Sequence, residues 1–240
     1  MQYISHGMAQ FFEFLHSGIQ SIIPNPNFSY GLAIIAFTII IRIILLPLSI
    51  KQIKSMVGMQ EIQPEIKALQ EKYKNDPQKS QQEMMKLYKE KGVSPFSGCL
   101  PMVVQLPILW ALFYVFNNLK GISGVHFLWI PDLTKRDPYF ILPILTVITT
   151  YLSTAMMANK NDKSPQAKQT GTMNITMAIF MGFMSYNFKA ALVLYYVVNN
   201  LIQLGQNYFT KKLDKNKKKG SDEIEAAVTV KEKKVANRKR

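Results

Sequence analysis

The sequence predicts an all-α polytopic membrane protein with five transmembrane helices and a cytoplasmic helical hairpin. Three observations predict it. Apolar runs of membrane-spanning length occur at about 30–50, 95–117, 138–157, 173–188 and 190–209. Strongly charged stretches separate and follow them, so the 48% hydrophobic content is segregated rather than spread along the chain. The cations are also unevenly placed. Residues 51–93 hold nine Lys or Arg, 158–172 three and 210–240 twelve, whereas residues 1–29 hold none. The connection 118–137 holds Lys120, Lys135 and Arg136, and Lys189 stands between the last two runs. With five spans, 24 cations fall on one side and 4 on the other, which puts the N-terminus outside and the C-terminus in the cytoplasm. The net charge of +14 therefore reads as topology rather than as a nucleic-acid-binding surface.

Residues 1–27 are expected to form an outer, interfacial amphipathic helix. They carry neither the basic start nor the small-residue cleavage site of a secretory signal. The stretch Phe11–Ile23 is too short to span, and Glu13, His16, Ser17, Gln20 and Ser21 fall mostly on one helical face. Pro24 and Pro26 then turn the chain into the first span. His6, His16 and His126 have no neighbours at metal-ligand spacing and read as interfacial. The lone Cys99 excludes an internal disulfide.

The first transmembrane helix, 28–50, contains the most unusual residue of the chain. Arg42 interrupts an otherwise apolar run, and a permanent cation at such depth costs a few kcal/mol on insertion scales. Snorkelling to the interface is one reading. However, the next cation, Lys51, lies roughly 14 Å further along a helix at the usual rise, about twice the reach of an arginine side chain. The other reading is a buried, functional Arg42, set in a water-filled cavity or against a polar partner inside a helix bundle. Thr38, four residues earlier, shares its helical face.

Residues 51–93 form the expected cytoplasmic hairpin. Leu69, Met84, Met85, Leu87 and Tyr88 punctuate a field of Lys, Glu and Gln; Asn75-Asp-Pro77 signals the turn, and Gly92 ends the second helix. It is either a solvated spacer or a mobile arm that meets an incoming partner. Residues 94–209 hold transmembrane helices two to five. The second span opens with Pro95, Pro101 and Pro107 close together, and Pro101 and Pro107 would interrupt its hydrogen bonding. Gln105 is a polar side chain at depth. It either bonds to a neighbouring helix, as is common, or lines a cavity around Arg42.

Other polar groups in the spans are modest, among them Thr146, Thr149, Thr150, Ser153, Asn199, Asn200 and Gln203, and no span contains an acidic residue. That argues against a proton- or cation-coupled carrier. No inverted repeat, selectivity filter, nucleophile–base pair or phosphate-binding loop appears, so neither a channel nor an enzyme is indicated. Residues 210–240 form a basic tail whose composition predicts disorder. Its charge either fixes topology and touches anionic lipid or binds a polyanion such as ribosomal RNA.

Several segments together resemble one family, the YidC/Oxa/Alb membrane protein insertases, over about residues 28–210. The first span with its single Arg42 resembles the family's arginine-bearing helix, and Thr38 matches a position that faces substrate. Gln82–Lys89 matches the end of the cytoplasmic hairpin. Pro95-Phe-Ser-Gly-Cys-Leu-Pro-Met-Val-Val-Gln-Leu-Pro107 matches a Gly-Cys-Leu-Pro and Gln-x-Pro signature. Phe127–Leu133 with Asp137–Pro143 matches the outer loop and third span, and Leu192–Tyr196 with Asn200-Leu201 matches the last span.

The chain departs from the family at Met177-Ala178, at the turn Asn187-Phe-Lys-Ala-Ala191, where Lys189 replaces a common proline, and at Tyr196, where some members have Trp. It lacks the large extracytoplasmic domain of Gram-negative members and an N-terminal lipobox cysteine, which suits a Gram-positive or clostridial type.

The resemblance implies five helices around a hydrophilic groove open to the cytoplasm, with Arg42 as its cation. Thr38 and Gln105 are groove-lining candidates, and Tyr195 and Tyr196 substrate-contact candidates. It implies a plasma-membrane insertase and foldase, not an enzyme, with no cofactor or metal. Its expected partners are nascent membrane proteins, the ribosome through the tail and hairpin, the Sec translocon and anionic lipid. A channel or solute carrier and a passive translocon scaffold are the alternatives.

Overall fold

In the computed structural model, residues 2–94, 100–119, 121–157 and 165–213 are described. Among them every regular element is helical: α1 (Gln2–Ile22), α2 (Pro26–Ile44), α3 (Leu46–Glu61), α4 (Gln63–Lys72), α5 (Pro77–Glu90), α6 (Leu100–Asn118), α7 (Ile141–Met157), α8 (Pro165–Asn187) and α9 (190–213). Pro95 to Cys99 of the proline-rich signature, residues 158–164 of the 158–172 connection and the basic tail from residue 214 lie outside the described residues. By length and composition α2 can cross a bilayer; Val103–Asn118 and Ile141–Met157 are apolar but shorter.

Prolines set the breaks along the first half. Asn25 caps α2, its side-chain oxygen accepting from the Asn27 N–H at 3.0 Å, with Pro26 in the first turn. The helical path breaks at Leu45 and resumes as α3, which continues past Lys51. The break thus falls inside the apolar run rather than at its end, because Pro47 offers no N–H to the preceding turn. Pro64 divides α3 from α4 in the same way, and Asp76 caps α5 beside Pro77. The pair α4–α5 closes over a small apolar cluster of Ile62, Ile66 and Leu87, flanked by Met59, Leu69, Met84 and Tyr88. Pro107, in contrast, does not end α6, which runs on to Asn118.

The N-terminal segment is helical within the expected bounds. It starts at Gln2 and packs against α2 and α6. Phe12 is fully enclosed, edge-on to both Phe37 and Phe116. His16 also has partners. Its ring stacks on Tyr30 at 3.6 Å, and Nε2 meets the Ser29 hydroxyl at 3.1 Å.

The connection 121–140 folds inward over the same end of the bundle. Ile122, Val125, Phe127, Ile130 and Leu133 are buried among α1, α2 and α6 side chains. A lipid-exposed loop would leave its backbone unsatisfied, and this segment is instead packed against helices. Enclosing each of its large side chains is worth roughly 1.5–3 kcal/mol. The Phe127 ring lies directly over Gly31 of α2, where a Cβ would come within 2.1 Å of it. Asp132 accepts from the Thr134 N–H and hydroxyl. Burial pushes its carboxyl up, but these hydrogen bonds outweigh that and hold it below the usual carboxylate range. Asp137 accepts from the N–H groups of Tyr139 and Leu142 and so starts α7.

Helices α7 and α8 pack closely through Gly182, which faces Val147 and the Pro143 carbonyl. Only Phe188 and Lys189 separate α8 from α9. The 121–140 connection is tied to this turn by backbone bonds from Ala190 N–H to the Lys135 carbonyl (2.7 Å) and from Ala191 N–H to the Leu133 carbonyl (2.9 Å).

Candidate functional site

Helix α9 carries amides on two faces. Asn200 and Asn207, seven apart, turn towards α7, where Asn200 donates to the Thr150 hydroxyl at 3.0 Å and Asn207 to Ser153 at 3.3 Å. Asn199, Gln203 and Gln206, at i, i+4 and i+7, form the other stripe. That stripe meets Arg42.

Arg42 is 7% exposed. Its Nε donates to Asn199 Oδ1 at 2.6 Å. Nη2 donates to the Asn199 carbonyl at 2.9 Å and to Gln203 Oε1 at 2.8 Å, and Nη1 reaches Gln206 Oε1 at 3.5 Å. Of the two sequence readings of Arg42, the polar partner inside a bundle is the one this geometry matches. All these acceptors are neutral. Among the described residues no carboxylate lies within ion-pair range of Arg42. The cation is thus solvated by amides while its full charge persists in a low-dielectric setting.

The network continues into α6. Asn199 Nδ2 donates to Gln105 Oε1 at 3.3 Å, and Gln105 Nε2 donates to the Tyr195 hydroxyl at 3.2 Å. Arg42, Asn199, Gln105 and Tyr195 therefore form one chain of hydrogen bonds across α2, α9 and α6. A water-sized cavity of about 30 Å³ adjoins it, lined in part by Arg42, Ser49, Gln52, Gln105 and Gln203. Among the described residues, the Gln52 Nε2 beside it is buried with no hydrogen-bond acceptor.

The five residues singled out from the sequence fare differently. Arg42 and Gln105 line the cavity. Tyr195 is fully buried and enters through its hydroxyl. Thr38 lies one turn away on the Arg42 face, also fully buried, but its hydroxyl bonds the Ile34 carbonyl at 2.6 Å and does not join the network. Tyr196 packs half-buried against the apolar core instead. Sequence reasoning did not pair Arg42 with Asn199, Gln203 and Gln206. The signal available was the spacing of three amides on one face of an apolar helix.

The chain resembles known proteins in both sequence and fold. A family described as 60Kd inner membrane protein matches residues 22–219. A Clostridium tetani protein named membrane protein insertase YidC is 51% identical over 222 residues, covering 92% of this chain and all of the relative. A protein of the same name from Burkholderia multivorans is 43% identical over 193 residues, covering 80% of this chain but 34% of that longer relative. Among solved structures, one described as an active YidC insertase with its first transmembrane domain resolved superposes with a TM-score of 0.67 at 32% identity. It covers 86% of this chain and 46% of that one.

Proposed function

Since the chain belongs to the YidC/Oxa family of bacterial membrane insertases, we propose that it moves hydrophobic segments of nascent proteins from the cytoplasm into the bilayer through a polar groove centred on Arg42, alone or with the Sec translocon. The observation that carries this reading is a buried cation that, among the described residues, is hydrogen-bonded only to neutral amides and a carbonyl. Its charge is available to an incoming carboxylate. At about 4 Å and an effective dielectric near 20, that attraction is about 4 kcal/mol before desolvation.

Gln203 and Gln206, both half-buried, are the partners an arriving acidic segment can displace. Thr38 and Tyr195 meet substrate only once α2 and α9 part, whereas half-buried Tyr196 needs less movement. The substrate's polar segment is held at the network while its hydrophobic helix leaves into lipid. Hydrophobic transfer, and the membrane potential acting on any charge moved, supply the driving force without a nucleotide.

The cation asymmetry orients this machine with α1 and the 121–140 connection outside, and with α4–α5 and the tail in the cytoplasm. There the basic tail and hairpin are placed to meet a ribosome, whose phosphates need only flexible cations. Single cysteines at Gln78, Asn161 and Lys217, in a Cys99→Ser background, resist an impermeant thiol reagent in intact cells if this orientation holds, and one at Ser123 reacts. Labelling at Lys217 from outside would remove it.

A second reading has its own support, because every Arg42 bond described above ties α2 to α9 and so makes the residue a structural clamp. Reconstitution of the full chain in liposomes separates the two. For the groove, Arg42→Lys retains substantial insertion, while Arg42→Ala loses acidic-tailed substrates and spares neutral-tailed ones. For the clamp, Arg42→Ala lowers the amount of assembled protein and affects both substrates alike. Insertion per assembled molecule is the measurement, and full activity of Arg42→Ala on acidic tails refutes the groove charge. The same liposomes test the other classes: a channel passes ions or solute, and a passive scaffold inserts nothing.

A further inference from the structure

Away from Arg42, a cavity of about 520 Å³ opens where the outer connection meets the α8–α9 turn, lined by residues including Lys135, Arg136, Asp137, Phe140, Tyr186 and Lys189. Its charge is unusual for this side of the molecule. Four cations lie in the segments assigned outside, and three of them (Lys135, Arg136 and Lys189) line this one cavity. Positive charge is disfavoured in short outer loops, so their convergence is a feature to explain.

Their charge is also poorly compensated. Both Asp137 oxygens accept from backbone N–H groups at the start of α7. Lys189 Nζ meets the Phe116 carbonyl at 3.4 Å, a neutral group. Lys135 reaches Asp132 only at 3.5 Å. Arg136 lies over the Tyr186 ring at 5.5 Å and, among the described residues, has no carboxylate partner.

The walls are fixed in advance. The two backbone bonds from Ala190 and Ala191 hold the connection to the turn. Phe140 stacks flat on Tyr186 at 4.7 Å while its own backbone is held at φ 58°, a conformation that bulky residues rarely adopt. Below the cations, Ile144 and Ile148 of α7 and Ile179 and Phe183 of α8 present exposed apolar side chains one helical turn apart. Tyr139 and Phe140, just before α7, are exposed, and aromatic side chains of this kind are enriched where a membrane meets water.

We propose that this cavity binds the phosphate of an anionic phospholipid of the outer leaflet, with Arg136 and Lys189 as its principal contacts and the acyl chains lying along α7 and α8. The test uses the full chain in phosphatidylcholine vesicles doped with phosphatidylglycerol or phosphatidylcholine that bears a photoactivatable group in the upper acyl chain. Peptide mapping follows crosslinking.

The phosphatidylglycerol probe is expected to label residues 134–140 and 179–189 several-fold more than the phosphatidylcholine probe. Arg136→Gln with Lys189→Gln removes that preference, and Arg136→Lys with Lys189→Arg keeps it. Labelling of the basic tail, which sees the other leaflet, stays constant. Equal labelling by the two probes on the unaltered chain overturns the proposal, as does a preference that survives the double glutamine variant. Displacement of the probe by inorganic phosphate reassigns the cavity to a soluble anion and overturns the lipid assignment.

Discussion

At one end of the bundle, Phe12, Phe37, Phe116, Phe127, Ile130 and Leu133 interdigitate with scarcely a polar atom between them. At the other, Arg42, Gln105, Asn199 and Gln203 share hydrogen bonds around a water-sized cavity. The same helix, α2, serves both, with Gly31 under the Phe127 ring near its start and Arg42 in its last turn. The apolar end depends on shape, and a misfit there has no alternative partner. The amide end depends on valence, and several acceptors can substitute for one another. A seal and a polar site built on one helix need these opposite tolerances.

The largest effect is therefore expected at the seal. Gly31→Val drives its side chain into the Phe127 ring, and overpacking of this kind costs about 1–3 kcal/mol or more. The yield of folded protein and its midpoint of thermal unfolding in detergent should fall markedly, with Phe127→Ala restoring part of the loss. Tolerance of valine at 31 without compensation would show that the 121–140 connection is not seated on α2.

A smaller effect is expected at the amide end. Asn199→Ala removes the Arg42 Nε acceptor and the donor to Gln105, but leaves the residue 199 carbonyl and Gln203 in place. A loss of about 1–3 kcal/mol in stability follows from the unpaired groups. Insertion per assembled molecule should change more for acidic-tailed than for neutral-tailed substrates. Equal changes would favour the clamp.

The smallest effect concerns His16, where α1 meets α2. Burial lowers its pKa below the usual 6.5. The unfolded chain therefore takes up the proton first, and stability rises with pH across that interval. Stability is fully present above 6.5, declines as pH falls from there to the folded value, and then levels off. His16→Gln should flatten this dependence in thermal unfolding, and a slope unchanged in the variant would place the titrating group elsewhere.

How much of this was legible in the sequence follows from the range of each interaction. The apolar runs, the oddity of Arg42, the turn at Asn75-Asp-Pro77 and the short α8–α9 connection are local patterns, and periodicity or turn chemistry suffices to read them. The helical break at Leu45 was also local, since Pro47 marks it, but the apolar run around it hid the signal. The docking of Phe12 was not legible, because a polar face suggests an interface without saying what the apolar face meets. The partners of Arg42 lie 157 or more positions away, so spacing could nominate the α9 amides only as polar residues in a span. Tyr195 and Tyr196 are adjacent in sequence, yet Tyr195 is fully buried with its hydroxyl in the network, whereas Tyr196 stays half-buried against the outside of the core. Neighbours on a helix point about 100° apart.

The stripe on α9 has a mechanical consequence. Its acceptors recur at intervals of about one turn, so sliding α9 along α2 by one pitch, about 5.4 Å, would exchange Asn199 for Gln203 and Gln203 for Gln206 opposite the same guanidinium. The cation would be handed from rung to rung without meeting bare hydrocarbon. Such a ratchet lets two helices shear past each other at the buried charge itself, the place where a membrane protein would otherwise be most rigidly locked.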